Sequence, residues 1–93
     1  MTDDALFELL SLECHVDEHG TVHYYNALGQ RHRVHGPAID WPDGYRAWFQ
    51  NGLLHRLDGP AIEWANCRHD WYINGKELSK AEWQRAVASM EIV

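Results

Sequence analysis

The sequence predicts an α+β fold: a meander of short antiparallel β-hairpins repeating about every 23 residues, capped by an N-terminal and a C-terminal α-helix. Three observations predict it. His55-Arg56-Leu57-Asp58-Gly59-Pro60-Ala61-Ile62-Glu63-Trp64 restates His32-Arg33-Val34-His35-Gly36-Pro37-Ala38-Ile39-Asp40-Trp41, with seven of ten positions identical and an acid before Trp in both. Trp48-Phe49-Gln50-Asn51-Gly52 returns 23 residues later as Trp71-Tyr72-Ile73-Asn74-Gly75, and Asn-Gly between apolar runs signals a hairpin because both residues tolerate positive φ. At the two ends of the chain the pattern changes to the spacing of an amphipathic helix.

The elements follow in order. Residues 1–13 are expected to form an acidic helix: Thr2 caps it, Asp3 and Asp4 meet its dipole, and Leu6, Leu9 and Leu10 share one face. Asp4 and Glu8 would then show acid to water. Residues 14–78 carry the hairpins. In the first, Cys14-His15-Val16 and Thr21-Val22-His23-Tyr24-Tyr25 flank the loop Asp17-Glu18-His19-Gly20. Tyr45 to Gln50 should run as one strand into the Asn51-Gly52 turn and return through Leu53-Leu54-His55-Arg56, with Ala61-Ile62-Glu63-Trp64 as a further short strand. The first unit has Asn26-Ala27-Leu28-Gly29 at its turn, a longer connection that calls for a wider loop or a bulge. Residues 79–90 are expected to form the closing helix: Ser79 and Glu82 make a capping box, and Trp83, Ala86, Val87 and Met90 form its apolar stripe. Terminal elements of this kind cover the open ends of a repeat stack.

Ninety-three residues suffice for one domain with a modest core. No stretch approaches the length of an apolar membrane span, and the acids after Met1 do not read as a signal peptide. Cys14 and Cys67 are too few for a secreted disulfide scaffold, so reduced thiols in the cytoplasm are expected. Charge is segregated. Six of the fourteen acids, Asp3, Asp4, Glu8, Glu13, Asp17 and Glu18, lie in the first twenty residues without one Lys or Arg. The other eight acids are matched by eight bases, all from Arg31 onward. This polarity argues against direct nucleic-acid binding and for a basic partner or a solubilising face.

The unit aromatic-aromatic-x-Asn-Gly-x-x-His-Arg-x-Asp-Gly-Pro-Ala-x-x-Trp resembles the degenerate MORN-type repeats of small bacteriophage and prophage proteins. Trp48, Asn51, Gly52, His55, Arg56, Asp58, Gly59, Pro60, Ala61 and Trp64 carry the resemblance, with a closing turn at Asn74, Gly75 and Lys76. It implies stacked hairpins in a curved sheet, and binding or scaffolding rather than catalysis. The chain departs from the pattern at His35, where the copy has Asp58, and at Cys67, where the copy has Gly44.

Reactive chemistry is poorly represented. His32 and His55 are repeat equivalents, so they are expected to pack beside Arg33 and Arg56 rather than to react. His32 and His35 are three apart, but not on a helix. Cys14-His15 and Cys67-x-His69 supply a four-ligand zinc set only if the first and third units meet, and their spacing matches no finger. No nucleophile motif or phosphate loop is present, so neither catalytic residues nor a cofactor are expected. Trp41, Trp48, Trp64 and Trp71 are either a stacking platform or core, and repeat-equivalent aromatics more often pack as core.

The expected role is therefore a non-catalytic protein–protein interaction. Small phage-like proteins with a polarised acidic face resemble counter-defence inhibitors. That resemblance implies an anti-CRISPR-type DNA mimic whose acidic patch (Asp3, Asp4, Glu8, Glu13, Asp17, Glu18) blocks the DNA site of a basic host nucleoprotein. The alternative is a MORN-like assembly protein that self-associates through sheet edges.

Overall fold

The computed structural model describes residues 11–91. Its strands are β1 (Glu13–Val16), β2 (Val22–Tyr25), β3 (Ile39–Asp40), β4 (Arg46–Ala47), β5 (Phe49–Gln50), β6 (Leu53–Leu54), β7 (Ile62–Glu63), β8 (His69–Ile73) and β9 (Lys76–Leu78), followed by a helix over Lys80–Glu91. Seven strands form one antiparallel sheet in the order β1-β2-β3-β4-β7-β8-β9, and β5-β6 is a separate two-stranded ribbon.

This corrects the expected architecture twice. Among the described residues there is one helix, at the C-terminal end, so the array is mostly antiparallel sheet rather than hairpins capped by two helices. Residues 1–10, where most of the expected acidic helix falls, lie outside the described residues. Glu13, expected to end that helix, instead opens β1, because the ladder Glu13–Tyr25, Cys14–Tyr24, His15–His23 and Val16–Val22 holds it in extended pairing. The second correction concerns the meander. The run from Tyr45 to Gln50 is not one strand: Arg46 and Ala47 pair with β3 and β7, while Phe49 and Gln50 pair with β6. The chain changes sheets at Trp48, which is buried. In the third unit β8 likewise pairs with β7 through His69 and Asp70 and with β9 through Trp71, Tyr72 and Ile73.

The Gly-Pro-Ala-Ile segment now has a physical account. Ala38 and Ala61 are fully enclosed, and the Ala38 and Trp48 amides donate to the Ala47 and Ala61 carbonyls. Ile39, Ala47 and Ile62 form the core, with Tyr45, Phe49, Leu54 and Tyr72 packed against it. Gly36 and Gly59 leave room for the arginine that folds back over them. A Cβ on Gly59 would lie 2.7 Å from the Arg56 guanidinium carbon, and one on Gly36 would lie 2.8 Å from that of Arg33.

The repeated histidines do more than pack. His32 Nδ1 accepts the Asn51 amide and His55 Nδ1 accepts the Asn74 amide, each at 2.9 Å. Each unit thus grips the turn of the next, at a residue in the left-handed region (Asn51 φ 51°, Asn74 φ 49°). An accepting Nδ1 requires the neutral ring protonated on Nε2. Burial lowers the His55 pKa from its ordinary 6.5. The unfolded chain therefore binds a proton that the fold rejects, and this contribution is present above pH 6.5 and is lost as pH falls through the lower folded value. His55→Gln, whose side-chain carbonyl can still accept the amide, should flatten the pH dependence of the unfolding midpoint below pH 6.5. A wild-type slope retained in the variant would assign the titration elsewhere.

A capping box forms at the closing helix: the Ser79 amide donates to Glu82 Oε1 (2.9 Å) and the Glu82 amide donates to Ser79 Oγ (3.1 Å). These bonds lower the Glu82 pKa. Trp83 docks the helix, with its ring 4.7 Å from that of Trp71 and its indole N–H donated to the Arg56 carbonyl at 2.9 Å. Among the described residues no helix is long and apolar enough to cross a membrane.

Candidate functional site

One rim of the sheet gathers the features that point outward. Three five-residue turns, 17–21, 41–45 and 64–68, join β1 to β2, β3 to β4 and β7 to β8. They share one hydrogen-bond pattern: the first amide donates to the fifth carbonyl and the fourth amide to the first carbonyl, at 2.9–3.1 Å. The fourth residue takes positive φ in each, Gly20 at 84°, Gly44 at 102° and Cys67 at 69°. Cys67 therefore occupies a glycine position, at a backbone cost of about 1 kcal/mol. The turns adjoin along the rim: a Cβ on Gly20 would lie 3.4 Å from Pro42, and one on Gly44 would lie 3.7 Å from Ala65.

Of the expected acidic patch, Asp3, Asp4 and Glu8 lie outside the described residues. Glu13 is exposed at the start of β1, and Glu18 is exposed in the first turn, 3.5 Å from His19. Three strand residues, Cys14, His15 and Val16, separate Glu13 from Asp17. Asp17 is engaged internally. Its carboxylate accepts the His19 and Thr21 amides and pairs with His23 Nε2 at 3.0 Å, while Arg31 meets His23 Nδ1 at 2.9 Å. The bond to His23, assisted by the two amides, holds the Asp17 pKa at about 2. Asp17 builds the loop that presents Glu18, which its position in a run of acids gave no means of telling. Four acids of the repeats are likewise spent within the fold: Asp40 on Arg46, Asp58 and Glu63 on Arg56, and Asp70 on Arg68.

The four tryptophans divide into two pairs. Trp48 is buried beneath Arg56, whose guanidinium carbon lies 3.7 Å from its ring centre, and Trp71 packs on Trp83. Trp41 and Trp64 are 45% and 39% exposed, contrary to the expectation that all four are core. With Tyr45 between them they wall a groove of about 360 Å³ whose floor is Ile39 and whose rim carries Asp43 and Ala65. The rings stand edge to face: Trp41–Tyr45 at 6.1 Å and 84°, and Tyr45–Trp64 at 4.8 Å and 64°. Burial raises the Tyr45 pKa, so its phenol is neutral at physiological pH.

Cys14 and Cys67 are free and exposed, and four strand spacings, about 19 Å, separate β1 from β7 beside the third turn. Cys14-His15 and Cys67-x-His69 therefore do not converge, and no metal-binding cluster occurs among the described residues. A second hollow lies between the Val34-His35 and Leu57-Asp58 segments, with Trp48 and His55 among its walls. His55 is already committed there to the Asn74 amide.

No protein-family model matches the chain, and no curated protein or solved structure matches it either.

Proposed function

We propose that the protein is a non-catalytic interaction protein that uses an acidic surface to block the DNA-binding site of a basic host nucleoprotein, as an anti-CRISPR-type inhibitor would. One observation carries the reading. Asp40, Asp58, Glu63 and Asp70 are paired with arginines of their own units, while Glu13 and Glu18, like Asp43, form no ion pair with Lys or Arg among the described residues. With Asp3, Asp4 and Glu8 before them, they leave the net charge of −6 concentrated in the first twenty residues. A surface of this sign competes with phosphates for a basic groove.

Replacing Asp4, Glu8 and Glu13 together by Lys should abolish capture of the nucleoprotein while leaving the unfolding midpoint unchanged within about 0.5 kcal/mol. Binding by the parent protein should also weaken steeply between 50 and 300 mM salt, as exposed charge pairs are screened over about 10 Å at 0.1 M. Undiminished capture by the triple variant would refute the acidic-surface reading.

Self-association through a sheet edge is the second reading, favoured by β1. It is the outermost strand of the sheet and all four of its residues are exposed. Sedimentation would then show concentration-dependent dimers at micromolar protein, and a monomer throughout would exclude it.

A further inference from the structure

We propose that the slot walled by Trp41, Tyr45 and Trp64 receives an arginine or lysine side chain from a basic protein partner. The repeat itself supplies the argument. Four aromatics of the units carry an arginine of this chain: Arg33 over Tyr24 at 4.2 Å, Arg56 over Trp48 at 3.7 Å, Arg31 over Tyr25 at 5.5 Å and Arg68 over Trp64 at 5.7 Å. Arg68 follows Trp64 by four residues, and the residue that follows Trp41 by four is Tyr45. The unit that should place a guanidinium on Trp41 thus places a third aromatic wall there, leaving the ring without a cation from the described residues. The indole N–H differs in the same way. Trp64 donates its own to Asp70 at 2.8 Å, whereas the position equivalent to Asp70 in the preceding unit is Ala47.

The geometry suits a cation better than a flat ligand. Walls at 84° and 64° to one another present ring faces and edges around a volume instead of one coplanar platform. Cations are drawn to such faces within about 6 Å of a ring centre, and most strongly to Trp. Asp43 stands exposed at the rim; its Oδ1 accepts the Tyr45 amide at 3.0 Å, and the carboxylate has no ion-pair partner among the described residues. At Tyr45 the field of Arg31 is opposed by that of Asp70. The turn bearing Glu18 abuts Pro42 beside the slot, so acid and aromatic walls form one continuous rim.

This inference names the contact chemistry of the basic partner proposed above and rests on that reading, but its test does not need the partner. Hexa-arginine peptide is titrated into the full chain while the five tryptophan indole N–H resonances are followed, with hexa-citrulline as the uncharged isostere. The Trp41 and Trp64 resonances should shift with hexa-arginine and remain still with hexa-citrulline. Trp41→Ala, at an exposed position, should weaken binding about 5- to 30-fold. Tyr45→Arg, which restores the residue type of the next unit, should fill the slot from within and abolish the Trp41 shift, with an unchanged far-ultraviolet spectrum reporting the fold. Binding that leaves both resonances unmoved, equal shifts with citrulline, or undiminished affinity in Trp41→Ala would overturn the slot. If the slot fails while Asp4→Lys/Glu8→Lys/Glu13→Lys still abolishes nucleoprotein capture, the acidic-surface reading survives alone. If hexa-arginine occupies the slot but the nucleoprotein is not bound, that broader reading fails and the slot stands.

Discussion

Arg56→Ala is expected to destabilise the protein by about 3 kcal/mol, and Arg33→Ala by only about 1–2 kcal/mol, although the two residues are repeat equivalents. Arg56 lies 3.7 Å over Trp48 and donates to the Pro60 carbonyl (3.1 Å), to Glu63 (3.0 Å) and to Asp58 (2.7 Å). Its side chain is 17% exposed and that of Glu63 28%, so the pair is poorly screened and its loss strands a half-buried carboxylate. Asp58 is 84% exposed, so its bond adds little. Arg33 keeps the aromatic contact, at 4.2 Å from Tyr24, but reaches the Pro37 carbonyl only at 3.5 Å, and its buried Nε has no hydrogen-bond partner. His35 replaces Asp58, and the shorter Asp40 replaces Glu63 and pairs with Arg46. Urea unfolding of both variants reads the difference, and equal losses would show that the carboxylates contribute nothing. Gly59→Ala should reproduce most of the Arg56 loss, because its Cβ would occupy the space of the guanidinium.

Trp83→Ala should cost about 3–5 kcal/mol and detach the closing helix, while Trp83→Phe should cost nearer 1–2 kcal/mol. Trp83 is 9% exposed, packs at 4.7 Å on Trp71, and spans 27 residues to the Arg56 carbonyl with its indole N–H. Truncation to Ala removes both the packing and the bond; Phe preserves most of the packing. Helical circular dichroism at 222 nm should fall before global unfolding in the Ala variant. A single coincident transition with undiminished helix would mean that the capping box and neighbouring residues hold the helix without Trp83. Lys80 also lies over the Trp71 ring, at 5.7 Å, and would be freed with the helix.

The acid limb of stability separates two groups. The His55 contribution is present above pH 6.5 and is lost as pH falls through its lowered folded value. Asp17, whose pKa is lowered from 3.8 to about 2, contributes above pH 3.8 and loses that contribution as pH falls toward 2. The first loss occurs where one unit grips the next, and the second where the first hairpin loop is tied to β2 through His23.

Much of the design was legible in the chain because it is local or repeated. The 23-residue period, the Asn-Gly turns, the first hairpin and the Ser79–Glu82 box each depend on residues a few positions apart, where backbone preference and short hydrogen bonds decide conformation. The segregation of charge is equally a property of the sequence. Tertiary structure decided what depends on partners far along the chain. The break at Trp48 follows from competition between β3 and β7 on one side and β6 on the other, which no period in the sequence reveals. Glu13 belongs to a strand because Tyr25 pairs with it. The role of His55 depends on Asn74, nineteen residues away. Identical letters also acquired different surroundings: Trp48 and Trp71 are covered by Arg56 and Trp83, while Trp41 and Trp64 line an open rim. A period sets which residues are equivalent; burial is set by what the neighbouring unit places against each of them.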